Sequence, residues 1–159
     1  MGNSASKVVV CGVGLIGGSF ALAIKSALAG RRDSPQVRIV GMGRTRPPLE
    51  QALRLGVIDE IATDRAAALK GADLVLLGMP VGQMEAVMRA MMPHLEPQTI
   101  VTDGGSTKAD VVAAARAAFG DRIGQFVPGH PIAGAEKSGV AAAKSDLYRD
   151  KRVVLTPLP

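Results

Sequence analysis

Short β-branched runs and longer apolar-periodic stretches alternate along this chain. Lys7 to Cys11 (KVVVC) is a run of strand formers ending in glycines, and Leu15 to Ala29 is a long apolar-periodic stretch closed by Gly30. Together they predict strand, tight turn and helix. Val37 to Gly41 (VRIVG) predicts a second strand, and Leu49 to Leu55 a helix with Pro47-Pro48 leading in and Gly56 after its end. Thr63 and Asp64 are placed to cap a short helix running through Lys70. Asp73 to Gly78 (DLVLLG) is apolar through its middle, the pattern of a central parallel strand covered on both faces. Gly82 to Met92 then reads as helix, Thr99 to Thr102 as strand and Lys108 to Phe119 as helix. Gln125 to Pro128 begins another strand, and Arg152 to Thr156 is the last.

This alternation, with crossovers long enough for a helix, predicts an α/β fold: a doubly wound, mainly parallel sheet with helices on both faces. At 159 residues the chain is one domain, too short for an eight-unit strand–helix barrel of roughly 250. Hydrophobic residues make up 47% but aromatic ones only 3%, so the core must be built from Ala, Val, Leu, Ile and Met. A lone cysteine, Cys11, excludes an intrachain disulfide framework and a Cys-based zinc site, no metal site is expected, and a reducing compartment, the cytoplasm, is the expected location. The formal charge of +5 gives a mild bias toward anionic ligands, but the basic residues are scattered with almost no aromatics, which argues against nucleic acid as a partner.

The 17 uncharged residues between Lys7 and Lys25 invite a reading as a signal peptide or membrane span. Gly12, Gly14, Gly17 and Gly18 would make a poor apolar helix, so no membrane association is expected. Met1-Gly2-Asn3-Ser4-Ala5-Ser6 loosely matches an acylation pattern, but a strand starting at Lys7 leaves no tether, and the match reads as coincidence.

The chemistry is expected in the loops at the carboxyl ends of the strands. Gly12-Val13-Gly14-Leu15-Ile16-Gly17 is G-x-G-x-x-G between a strand and a helix, the dinucleotide-binding turn of Rossmann-type folds. Gly12 permits the tight turn, Gly14 admits a pyrophosphate, Gly17 lets helix and strand pack closely, and Leu15 and Ile16 open the helix whose N–H groups would face the phosphates. The competing reading is a glycine turn that only packs. An NAD-specific site would carry an acid at the end of the second strand; Gly43 stands there instead, followed by Arg44, Thr45 and Arg46, a donor-rich loop suited to a 2′-phosphate. NADP is therefore favoured over NAD, with Arg44 as the main ligand. Cys11 reads as a small buried packing residue.

Met79 and Pro80, in the turn Gly78-Met79-Pro80-Val81, would lie beside the cofactor or serve only as a strand–helix connection. In Asp103-Gly104-Gly105-Ser106-Thr107-Lys108 either Ser106 or Thr107 caps the next helix, or Ser106 offers a substrate-binding hydroxyl beside the nicotinamide. Of the two histidines, His94 reads as surface, whereas His130 follows a strand's carboxyl end. Oxidising a hydroxyl requires removing its proton as hydride leaves the same carbon, a task suited to an imidazole.

GVGLIGGS (Gly12–Ser19), LRLGVIDE (Leu53–Glu60), ADLVLLGMPV (Ala72–Val81), VTDGGSTK (Val101–Lys108), GHPIAGAEKSG (Gly129–Gly139) and LYRDKRVVLTP (Leu147–Pro157) together resemble the prephenate and arogenate dehydrogenases, also called cyclohexadienyl dehydrogenases. GHPIAGAEKSG is the most specific of these stretches. The resemblance implies a Rossmann domain of an NAD(P)-dependent oxidoreductase of tyrosine biosynthesis that oxidatively decarboxylates prephenate or arogenate. It implies His130 as acceptor or base for the ring hydroxyl, Ser106 as a hold on that hydroxyl and the nicotinamide, and Glu136 as a gate-type acid near the substrate. Family members continue into a helical domain supplying the dimer interface and a substrate arginine, so a chain ending at Pro159 is expected to be the cofactor domain alone, homodimeric only with that domain present. The competing functions are another NADP-dependent dehydrogenase, of the 3-hydroxyacid or imine type, and a non-catalytic NADP(H)-sensing module.

Overall fold

The computed structural model describes residues 6–31 and 36–158. Strand β1 (Ser6–Cys11) lies at the centre of a six-stranded parallel sheet with β2 (Val37–Met42), β3 (Glu60–Ile61), β4 (Leu74–Leu77), β5 (Ile100–Asp103) and β6 (Phe126–Val127), in the order β3-β2-β1-β4-β5-β6. Helices α1 (Leu15–Leu28), α2 (Arg46–Arg54), α3 (Arg65–Leu69), α4 (Val81–Met91) and α5 (Lys108–Phe119) provide the crossovers. The chain runs outward from β1 to β3, then returns to β4 on the other flank, so the order reverses between β1 and β4. That is the expected doubly wound sheet, and the reversal opens a crevice at the carboxyl ends.

Period-two alternation divides the core. Val8 and Val10 of β1 face Ala21 of α1 and Leu49 and Ala52 of α2. Val9 and Cys11 face the opposite layer, where Met84, Met88 and Met91 of α4 and Val111, Ala115 and Phe119 of α5 are buried. Lys7 is buried too, its Nζ donating to the carbonyls of Ala67 and Lys70 at 2.9 Å and so closing the end of α3. At the start of that helix the Asp64 carboxylate accepts from the Ala67 N–H at 2.8 Å, the expected cap.

Several elements depart from the sequence reading. Helix α2 starts at Arg46 and not Leu49, because Pro47 and Pro48 occupy the first turn, where a missing N–H costs nothing. The two-residue β3 was not anticipated; it pairs with Val40 and Gly41 and is too short to carry a pattern. A 3₁₀ segment (Gly120–Gln125) precedes β6. The last predicted strand does not extend the parallel sheet: β8 (Val153–Leu155) pairs antiparallel with β7 (Gly129–Pro131), a stretch read as loop, forming a separate ribbon.

No helix among the described residues is long and apolar enough to cross a membrane. The residues from Met1 to Ala5 that carry most of the acylation pattern lie outside the described ones.

Met88 is fully buried between α4, α5 and the sheet. Met88→Ala is expected to cost about 2–5 kcal/mol, read as a lower denaturant midpoint at unchanged slope.

Candidate nucleotide-binding cleft

The β1–α1 turn is built from close backbone approaches. Gly12 has φ +88°, and a Cβ there would lie 2.8 Å from the Met79 nitrogen. A Cβ at Gly17 would stand 2.2 Å from the Gly12 carbonyl oxygen and 2.8 Å from a Val10 methyl. Gly14, which starts α1, has no atom within 4 Å of its Cβ position, so its outer face is open. The first N–H groups of a helix have no partners within it, and the macrodipole adds about half a positive charge. This turn can receive an anion.

Over it lies a cleft of about 400 Å³, at the carboxyl ends of β1, β2 and β4. Of the expected cofactor residues, Gly12, Gly14, Gly43, Arg44, Thr45, Met79 and Pro80 line it. Leu15, Ile16, Gly17 and Arg46 do not: Gly17 is the packing contact just described, Ile16 lines a second hollow, and Arg46 is turned back to pair with Glu50 at 2.8 Å. Arg65, at the start of α3, lines the cleft and was missed, because the β3 that delivers it has no sequence signal. No Asp or Glu lines the cleft among the described residues. Room exists at Gly43, whose Cβ would meet only Leu49 at 3.5 Å, so the missing acid is a matter of sequence and not of space.

Cys11 at the cleft floor is 2% exposed, and burial pushes its thiol up to about 12 against a small opposing effect of Arg65. That suits a packing residue and not a nucleophile.

Beyond β5 the anchor is Asp103, whose side chain is fully buried. Its carboxylate accepts from the Gly105 N–H at 2.8 Å and the Gly129 N–H at 3.0 Å, and pairs with the Lys108 ammonium. Lys108 also donates to the Gly129 carbonyl at 2.6 Å. Ser106 and His130 are the next residues after these two bonded glycines. Ser106 is exposed, and neither it nor Thr107 makes the anticipated side-chain cap on α5. His130 is partly buried on β7, opposite Val154, while Glu136 is exposed in the following loop. None of Ser106, His130 and Glu136 lines the 400 Å³ cleft. His94 is exposed, as expected.

The second hollow, about 150 Å³, lies between α1 and the β7–β8 ribbon and includes Ile16, Phe20, Asp103 and Tyr148. The Tyr148 hydroxyl donates to the Ile16 carbonyl at 2.7 Å, and Ser19 Oγ accepts from the Lys144 N–H at 2.9 Å, so the segment after β7 is fastened to α1.

A family model described as the nucleotide-binding domain of prephenate dehydrogenase matches residues 26–159. The chain belongs to that family. The matched span begins after the glycine turn, so the assignment does not rest on the motif shared by many unrelated dehydrogenases. The prephenate dehydrogenase of Bacillus subtilis is 41% identical over 159 residues, covering 99% of this chain and 41% of that protein. Among solved structures, prephenate dehydrogenase from Aquifex aeolicus in complex with hydroxyphenyl propionate and NAD+ is similar at a TM-score of 0.82 and 35% identity, over 98% of this chain and 51% of that one. The arogenate dehydrogenase of Synechocystis is similar at a TM-score of 0.82 and 30% identity, over 96% of this chain and 50% of that one. The chain thus spans about two fifths to half the length of these relatives. It is a Rossmann-type nucleotide-binding domain of the prephenate dehydrogenase family.

With one Tyr and no Trp in the chain, ultraviolet titration reads Tyr148 alone. Burial raises its hydroxyl to about 12. An acid whose folded value is raised keeps its stability contribution below the unfolded value, about 10, and loses it as pH rises toward the folded one. Tyrosinate absorbance should therefore appear with a midpoint near 12 in buffer and near 10 in denaturant, and Tyr148→Phe should remove the stability loss in that window.

Proposed function

We propose that this chain is the cofactor-binding domain of a cytoplasmic dehydrogenase that oxidatively decarboxylates prephenate, arogenate or both in tyrosine biosynthesis, with NADP favoured and NAD used less well. The observation that carries the cofactor choice is a dinucleotide cleft lined by Arg44 and Arg65 and by no carboxylate, in a chain of this family. The substrate class rests on the relatives, which are named for prephenate, cyclohexadienyl and arogenate dehydrogenation.

The residues fit the cofactor. The open face of Gly14 and the N–H groups that begin α1 at Leu15 and Ile16 would take the pyrophosphate. Arg44 and Thr45 would hold the 2′-phosphate, joined by Arg65, while Arg46 is committed to Glu50. Met79 and Pro80 would flank the dinucleotide on its way to the end of β5. A nicotinamide held there would supply the acceptor for hydride from the ring carbon that bears the hydroxyl, and loss of the ring carboxyl as carbon dioxide would complete the aromatic ring. His130 takes the hydroxyl proton as the hydride leaves. Ser106 holds the same hydroxyl by hydrogen bonding. Glu136, on an exposed loop, would act at the substrate's entrance.

Calorimetric titration tests the cofactor assignment. NADP should bind more tightly than NAD, and Arg44→Ala should weaken NADP roughly tenfold, about 1.4 kcal/mol for an exposed charge-assisted contact, with NAD unchanged. Equal affinities in the parent chain would overturn it. In the enzyme that carries this chain, His130→Asn should lower turnover of prephenate and arogenate by roughly 10²–10⁴-fold while NADP affinity holds. Loss of cofactor binding in that variant would place His130 in the nucleotide site instead.

A further inference from the structure

The buried Asp103 carboxylate stands apart from the expected site residues, yet it bonds to the chain beside two of them. One oxygen, Oδ2, accepts from the Gly105 N–H at 2.8 Å; the other, Oδ1, accepts from the Gly129 N–H at 3.0 Å. These donors belong to the loop before α5 and to the start of β7, segments separated by more than twenty residues of chain. Lys108 closes the arrangement by pairing with Oδ2 and donating to the Gly129 carbonyl at 2.6 Å, so both polar groups of Gly129 are taken by this pair.

The contact is also sterically tight. A Cβ at Gly129 would lie 2.8 Å from the Asp103 carbonyl oxygen and 3.1 Å from Thr102 Oγ1, and Thr102 itself donates to the Val127 carbonyl at 2.7 Å. Strand β7 is therefore held against the end of β5 by backbone and polar contacts, and it belongs to a ribbon outside the parallel sheet. The ladder of the main sheet ends at β6, one residue before β7, and the Asp103 carboxylate takes up the first N–H beyond it.

We propose that Asp103, neutralised by Lys108, is the positioning residue of this site: it sets Ser106 against His130 by holding the residue before each. The inference rests on the reading of the chain as a dehydrogenase domain in which those two residues meet the substrate hydroxyl. A group acting only through such placement governs turnover and not cofactor affinity, because the nucleotide cleft is built at β1, β2 and β4. Misplacement by about 1 Å costs on the order of 100-fold in rate.

The test compares the wild-type enzyme carrying this chain with Asp103→Asn, Lys108→Met and Gly129→Ala, measuring NADP affinity, turnover per NADP-binding site, and hydrogen exchange of the Gly105 and Gly129 amides. Counting sites by bound NADP removes any loss due to misfolding, which a purely structural role would cause. Expected is a fall in kcat per site of roughly 100-fold in Asp103→Asn, with NADP affinity within threefold and both glycine amides losing protection together. Gly129→Ala should reproduce the fall with both charges intact, and it decides the matter if neither charge variant binds NADP. Turnover per site within threefold of wild type in every variant that binds NADP would overturn the inference. A wild type that turns over neither cyclohexadienyl acid would instead sink the functional reading, and the exchange data alone then judge the clamp: amides that stay protected in Asp103→Asn refute it.

Discussion

Helix α1 can enter this fold only because residue 17 has no side chain. A Cβ there would sit 2.2 Å from the Gly12 carbonyl oxygen, which neither backbone can vacate without unpairing β1 from its neighbours. The same knot includes Gly78, whose Cβ would meet the Gly12 carbonyl oxygen at 2.8 Å, so the ends of β1 and β4 and the start of α1 touch backbone to backbone. The cleft is the space left above that contact. Its electrostatics follow from the same approach, since the helix N-terminus is brought to the point where the strand order reverses.

Close approach on one face of the sheet explains the composition of both. The fully buried residues of α1 are all small, Gly17 against β1, Gly18 and Ser19 against Val57 and the segment after β7, and Ala21. The opposite face carries the bulk, with Met84, Met88, Met91 and Phe119 filling the layer under α4 and α5. Methionine conforms to irregular gaps without the fixed shape of a ring, and the two rings of this core, Phe119 and Phe126 with centroids 5.8 Å apart, sit at its far edge. An aromatic content of 3% is therefore a property of the packing and not a deficit of core.

The order of the main elements and the glycine turn were legible because each rests on local signals: β-branched runs, helical periodicity and glycines at fixed offsets. What escaped was non-local. Strand β3 has two residues and exists because β2 offers it an edge. The β7–β8 ribbon joins residues more than twenty apart, and GHP has neither alternation nor β-branching to announce it. Arg65 reaches the cleft only through β3, and Asp103 reads in sequence as one polar residue of a glycine-rich loop. Arg46 shows the converse: the loop chemistry that suggested a phosphate ligand also supplies Glu50, four residues on, which occupies its guanidinium.

The two halves of the site handle charge in opposite ways. At the nucleotide end, Arg44 and Arg65 stand without a carboxylate among the lining residues, leaving net positive charge for an anion to meet. At the end of β5 the partly buried cation, Lys108, is matched by the buried Asp103 carboxylate, so this region carries no net charge from the pair. An unmatched carboxylate there would carry its full desolvation cost. Neutralising the pair internally lets a charged group fix backbone geometry at the end of β5, where both bonded glycines offer no side chain to pack.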